Sequence, residues 1–259
     1  MRASHSRRAD GSAGDVDYRQ TGGSYAAFRR PDERIARRVH DALGDARTVL
    51  NVGAGAGSYE PVHLEVTAVE PSETMRSQRP PHLATAIDAV AESLPFEDGA
   101  FDAAMTTFSV HQWGDLETGL RELRRVTRGP IAILTCDPAL VEDFWLSEYA
   151  PKVLSTEARR YPSPERISAV LGSLEISSVP VPLDCSDGFN EAYYGRPEML
   201  LIPEARSACS AWSFLTESET KAAVDLLASD LASGAWDERH GPLRSQSSYD
   251  GSLVLIVSR

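Results

Sequence analysis

The chain is 259 residues long, and its 26 basic and 38 acidic side chains leave a formal net charge of -12 at pH 7. That length suits one α/β enzyme domain, or a domain plus a cap, with enough chain to bury a real core. The acidic balance argues against nucleic acid and anionic membrane surfaces as partners.

Residues 1–17 are polar and aperiodic, the pattern of a disordered tail. From Tyr25 to Leu43 apolar residues recur at helical spacing, broken by Pro31. This predicts a helix from Asp32, as its N-cap, to a stop at Gly44. Thr48–Val52 and Val66–Glu70 are short β-branched runs, Ala84–Asp88 is a weaker third, and Ala103–Phe108 and Pro130–Thr135 make a fourth and fifth. Between the last two, Leu116, Leu120, Leu123 and Val126 are spaced for a helix. Strands alternating with helices predict a doubly wound, mostly parallel sheet. Beyond Asp137-Pro138, helices are expected at 144–154, 164–171 and 217–231, and strands at 174–181 and 253–257. The segment 183–250 reads as an insertion before the last strand, covering the substrate side of a domain built from 18–182 and 251–259.

Cys136, Cys185 and Cys209 are widely spaced without a CxxC pair, so neither a disulfide framework nor a zinc knuckle is indicated, and a reducing, cytoplasmic setting fits. No window of about 18 apolar residues offers a membrane span.

The most informative stretch is the strand that runs into Gly53-Ala54-Gly55-Ala56-Gly57. Glycine there lets the backbone turn sharply and approach a ligand, although a tight strand-to-helix turn would use the same residues. The next strand ends in Glu70, fifteen positions beyond Gly55. A carboxylate so placed can accept hydrogen bonds from both hydroxyls of a ribose. A nicotinamide enzyme would show the same acid, but its loop usually reads G-x-G-x-x-G rather than G-x-G-x-G.

The run VLNVGAGAGSYE, TAVEPSETM, AESLPFEDGAFDAA and LRELRRVTRGPIAIL resembles the class I S-adenosylmethionine-dependent methyltransferases, especially the quinone-biosynthesis branch. The resemblance covers residues 45–137. It implies a seven-stranded Rossmann-like sheet and S-adenosyl-L-methionine as cofactor, with S-adenosyl-L-homocysteine as product. It also implies that Gly53, Ala54, Gly55 and Gly57 pass beneath the methionine and ribose, and that Glu70 holds the ribose hydroxyls. Pro71, Ser72 and Met75 would flank the adenine, while Ala91 and Glu92 would read its amino edge. Val90 stands where the family often has Asp. An N-terminal lid would bring Tyr18, Tyr25 and Arg30 near the cofactor carboxylate, an arrangement that an ordinary aromatic anchor for the first helix would share.

On the acceptor side, Phe108 and Trp113 follow the fourth strand, where a doubly wound sheet places its ligand crevice. His111 is the candidate general base, because its unperturbed pKa suits proton removal near neutrality; a histidine that only hydrogen-bonds a loop fits equally. Trp113 could stack on the acceptor or belong to the core. The block Asp184–Glu198 resembles a signature, DCxDGFxxAYxxRPE, of a bacterial branch of these enzymes. It offers Phe189, Tyr193 and Arg196 as acceptor-pocket residues, or alternatively as a staple between insertion and sheet.

The expected activity is metal-free displacement of the methyl group onto a small-molecule acceptor, a carboxylate or peptide terminus included, with oxygen favoured over nitrogen or carbon. A monomer or homodimer is expected. The alternatives are an NAD(P)-dependent oxidoreductase on a similar fold, weakened by the absence of an evident Tyr-x-x-x-Lys, and a non-catalytic S-adenosylmethionine-binding protein.

Overall fold

The structure, a computed structural model, describes residues 27–259. Helix α1 (Glu33–Ala42) begins where the Asp32 side chain accepts a hydrogen bond from the Arg34 N–H, satisfying a donor that the first turn cannot pair internally. It ends ahead of Gly44, whose φ of 62° turns the chain away. Ile35 and Val39 form its buried stripe.

The central sheet contains β1 (Thr48–Val52), β2 (Glu65–Val69), β3 (Ala103–Thr107), β4 (Ile131–Cys136), β5 (Leu174–Ser178) and β8 (Leu253–Ser258), in the order β2-β1-β3-β4-β8-β5. The first four run parallel, and β8 is antiparallel to both its neighbours. This is the expected doubly wound α/β architecture, with six sheet strands among the described residues rather than the seven expected. The expected strand at 84–88 shrinks to one bridge, Ile87 beside Val69. Ile87 donates to Ala68 and accepts from Glu70, but the Ala89 N–H then bends back to the Ile87 carbonyl and ends the ladder.

Side chains alternate between two faces, as strand geometry requires. Val49, Met105, Ala132, Leu134, Leu253 and Leu255 share one core with α1. Leu50, Val52, Ala104, Ile131, Ile133 and Ile256 share the other. Helix α2 (Glu73–Ser77) follows β2 and is capped by Ser72. Helix α3 (Leu116–Val126), capped by Asp115, lays its apolar stripe on the second face. Helix α4 (Pro138–Val141) is a single turn capped by Asp137. The helix expected across 144–154 is instead a 3-10 turn, Trp145–Glu148, followed by α5 (Pro151–Arg160). Proline disfavours a helical residue before it and lacks an amide hydrogen, so Pro151 starts a new helix. Helix α6 (Pro164–Leu171) packs against α3 and leads into β5.

A small ladder, β6 (Val181–Pro182) against β7 (Ser248–Tyr249), brings together the two ends of the long segment between β5 and β8. Leu183 N–H donates to the Ser247 carbonyl just beyond it. Within this segment lie α7 (Pro203–Ser207), α8 (Glu217–Ser233, opened by a Thr216/Glu219 capping box) and α9 (Ala235–His240). Phe189, Tyr194, Trp212 and Trp236 join the same core as Met105 and Leu134, so the segment packs as a layer on the first face of the sheet.

Candidate functional site

A cleft opens at the carboxyl ends of β1, β2 and β3. Beneath it the glycine loop leaves β1 with Gly53, Gly55 and Gly57 all at positive φ, 68°, 51° and 94°. A Cβ on Gly53 would overlap the Ser109 hydroxyl, so the turn admits glycine alone. A Cβ on Gly55 would meet only the tip of Met75, at 3.3 Å. What glycine leaves open there is the cleft. Two non-glycine residues lining the cleft, Tyr59 and Phe108, also have left-handed backbones, φ 65° and 50°. Such conformations cost about 1–2 kcal/mol each and persist where surrounding structure enforces them.

Glu70 joins the loop to the strand beside it. Its Oε2 accepts from the Gly55 N–H and its Oε1 from the Ser72 N–H, both at 2.8 Å. The residue is 7 % exposed, and burial raises its pKa, against the pull of those two hydrogen bonds and of Arg76 and Arg79. Each oxygen retains a lone pair for a further donor.

Among the sequence-selected residues, Gly53, Ala54, Gly55, Glu70 and Pro71 line the cleft, as do Met75, Ala91, Glu92, Phe108 and Trp113. Glu92 also accepts from the Asp115 N–H at 2.9 Å, fastening the start of α3. Trp113 donates its indole N–H to Ser109 Oγ at 3.0 Å, which holds the ring on the cleft wall. Gly57 and Ser72 support from behind: Gly57 N–H donates to the Ala54 carbonyl, and Ser72 caps α2. Tyr18 and Tyr25 lie outside the described residues.

Arg30 is exposed, and the arginine that lines the cleft is its neighbour Arg29. Phe28 is helical, and Arg29 after it makes a single antiparallel bridge to Asp187 of the insertion, beside which Gly188 N–H donates to the Phe28 carbonyl at 2.7 Å. Arg29 Nε donates to Asp187 at 2.5 Å, and its guanidinium lies 5.1 Å from the Phe108 ring. Tyr59 donates its hydroxyl to the same carboxylate at 2.7 Å. Burial foremost, then the Asp187 charge, holds that phenol well above its ordinary pKa, so it remains a donor.

His111, Phe189, Tyr193 and Arg196 stand away from the cleft wall. Phe189 packs on Phe108, ring centroids 5.4 Å apart. Tyr193 is buried, and Arg196 sits over its ring while donating to the Cys185 and Ala192 carbonyls, both at 2.9 Å. His111 packs edge-on against Tyr161 at 4.7 Å. Burial foremost, then the charges of Arg160 and Arg29, depress its pKa well below the usual value, leaving a neutral imidazole.

Sequence reading passed over Glu157. Its Oε1 accepts from Asn190 Nδ2 at 2.9 Å, and Asn190 in turn accepts from the Trp212 indole at 3.0 Å. Burial raises this carboxyl to about 7, with the charge of Glu191 as the second cause. Nothing local marks it, because its partner is 33 residues away. Tyr59 was findable, since it stands two positions beyond the last glycine of the loop. Among the described residues, no group of three or more His, Cys, Asp or Glu could hold a metal ion, and no helix is long and apolar enough to cross a membrane.

Residues 50–130 match the family model described as a methyltransferase domain. The chain is similar to a demethylmenaquinone methyltransferase of Porphyromonas gingivalis, 29% identical over 57% of this chain and 69% of that protein. It is similar also to a sarcosine/dimethylglycine N-methyltransferase of Halorhodospira halochloris, 31% identical over 45% of this chain and 46% of that one. The matches span about half the length of such curated relatives, from 41% to 69% in the first three. A crystal structure described as a putative methyltransferase from an antibiotic biosynthesis pathway of Anabaena variabilis superposes with a TM-score of 0.82. It is 28% identical over 90% of this chain and 99% of that chain.

Proposed function

We infer that this chain, a class I S-adenosylmethionine-dependent methyltransferase, moves a methyl group onto a small-molecule acceptor by direct displacement. The observation that carries the reading is the position of Glu70, buried at the lip of the glycine loop with a lone pair left on each oxygen. The residues present fit the cofactor: the loop leaves open the space that a Cβ at Gly55 would take, and a carboxylate and a guanidinium line the same cleft. When bound, S-adenosylmethionine supplies a methyl carbon made electrophilic by the adjoining sulfonium.

Every other contribution comes from the protein. Glu70 accepts the ribose hydroxyl hydrogens, charge-assisted bonds that work only while it is ionised. Arg29, oriented by Asp187, takes the cofactor's carboxylate, the role that sequence reading gave to Arg30. Pro71, Met75 and Ala91 offer apolar surface to the adenine. Phe108 and Trp113 shape the side from which the acceptor approaches, and the insertion backs that wall through Asp187 on Arg29 and Tyr59 and Phe189 on Phe108. Methyl transfer requires such alignment more than a strong acid.

Buried away from the cleft wall, His111 and Glu157 hold proton-accepting atoms, which suits an acceptor that sheds a proton. Oxygen acceptors, hydroxyl or carboxylate, come first, and an amine is the second reading, favoured by the similarity to an N-methyltransferase. Three buried free thiols suit a reducing compartment such as the cytoplasm.

Calorimetric titration with S-adenosylmethionine, S-adenosylhomocysteine, NAD and NADP tests the reading. Micromolar binding of the two sulfur ligands alone is expected, and preference for a nicotinamide ligand would overturn it. Labelled methyl transfer to paired phenol, carboxylic acid and amine acceptors, with His111→Ala and Glu157→Gln beside wild type, then ranks the acceptor class.

A further inference from the structure

The glycine loop is gripped from outside the cleft as well as from within. While the Gly55 N–H donates to Glu70, the Gly55 carbonyl accepts from Arg79 at 3.4 Å. Arg79 follows α2, and its guanidinium makes two further contacts. It pairs with Glu60 at 2.8 Å and donates to the Ala84 carbonyl at 3.0 Å. The other oxygen of Glu60 accepts from Asn51 Nδ2 at 3.0 Å. One network therefore runs from the end of β1, through the exit of the loop, to the segment that follows α2.

The side chains of Arg79 and Glu60 are 4% and 1% exposed. Taking two charges out of water is expensive, and an ion pair buried this deeply often adds no more stability than apolar residues of the same volume. What it supplies is geometry: the guanidinium's donors lie in a fixed plane, so Gly55, Glu60 and Ala84 are held in one arrangement. Arg79 also lies close enough to Glu70 to favour its charged form, together with Arg76, whose own partner is Asp88 at 3.4 Å.

We propose that Arg79 and Glu60 are positioning residues for the methyl donor, which set the loop conformation that presents the Gly55 N–H and Glu70 to the cleft while touching no ligand themselves. The proposal rests on the reading of this cleft as the donor site. It separates donor affinity from acceptor chemistry, because neither Arg79 nor Glu60 lines the cleft.

Arg79→Lys keeps the charge opposite Glu60 but cannot reach Gly55 and Ala84 together. The paired variant Glu60→Gln/Arg79→Gln removes both charges, so neither is left buried alone. For each, calorimetry with S-adenosylhomocysteine from pH 5 to 8 and amide hydrogen exchange over residues 53–60 are compared with wild type. The expected results for Arg79→Lys are a Kd raised about tenfold, equivalent to roughly 1.4 kcal/mol, and faster exchange in the loop. In the paired variant the loss of affinity on acidification should also begin at higher pH, because Glu70 has lost a neighbouring cation. A lowered melting temperature with wild-type Kd and loop exchange in Arg79→Lys would overturn the proposal, leaving the pair merely structural. Failure of the wild type to bind S-adenosylhomocysteine would instead overturn the donor-site reading itself.

Discussion

The Tyr59 hydroxyl donates to the Asp187 carboxylate at 2.7 Å across 128 positions of sequence. It ties the end of the glycine loop to the insertion, and Arg29, on the same carboxylate, adds the segment before α1. One buried acid thus holds three separate pieces of chain around the cleft.

Tyr59→Phe keeps the ring and removes that bond, while Arg29 still satisfies Asp187. Stability should fall by about 1–2 kcal/mol, and S-adenosylhomocysteine should bind more weakly because the insertion and the loop are no longer tied. Urea unfolding beside calorimetry checks both, and an unchanged unfolding midpoint would show the bond to be neutral.

Gly53→Ala places a Cβ on a residue at φ 68° and against Ser109. The backbone strain alone costs about 1–2 kcal/mol, and the overlap must displace Ser109, which holds Trp113 on the cleft wall. Donor binding should be lost in a chain that still gives a folded circular dichroism spectrum. Wild-type affinity would mean that the loop does not shape the donor site.

The buried carboxylates give a pH dependence of defined sign. Burial raises Glu157 and Glu191 to about 7. Their contribution to folding is therefore full below the ordinary glutamate range and is lost as pH rises through about 7. Asp32, which Arg34 and two backbone N–H groups hold down at about 2, contributes in the opposite sense, present above the ordinary aspartate range and lost as pH falls toward 2. Unfolding midpoints should accordingly improve from pH 8 to pH 6 and decline below pH 4. Donor affinity follows Glu70: its raised pKa means that the ionised form is lost at a higher pH than for an ordinary carboxylate, so binding weakens early on acidification. Glu70→Gln should bind poorly and show little of this dependence.

Arg196→Ala should lower stability by about 2 kcal/mol, the scale of hydrogen bonds from a charged donor, because the Cys185 and Ala192 carbonyls lose their guanidinium partner. The KM of the acceptor should not move. A raised KM with intact stability would return Arg196 to the acceptor pocket.

The strands and helices of the first half of the chain were legible because their signals are local. β-branched runs, the Asp32 cap and the glycine loop each declare themselves within a few residues. The strand expected at 84–88 failed because edge pairing depends on whether the backbone continues straight, and Ala89 bends back. Choosing between Arg29 and Arg30 needed the single bridge from Arg29 to Asp187, which no local pattern encodes. Phe189, Tyr193 and Arg196 drew notice for the density of polar and aromatic groups around them, a signal that does not tell a pocket wall from the interior of the insertion. Glu157 acquires its character only by meeting Asn190 in the folded chain.

The position of β8 has a consequence for how the molecule assembles. Among the described residues β5 lies at the sheet edge with β8 as its sole sheet neighbour, and β8 also completes the outer side of β4. Residues 183–247 must all be synthesised before Leu253–Ser258 exists to join the two. Until then the nascent chain carries β4 with a row of unsatisfied amide and carbonyl groups, an invitation to pair with another chain. Closing so long an intervening segment also delays the contact. Insertion of β8 is thus the event that commits the chain to its native sheet, and the interval before it is when a molecular chaperone would be of most use.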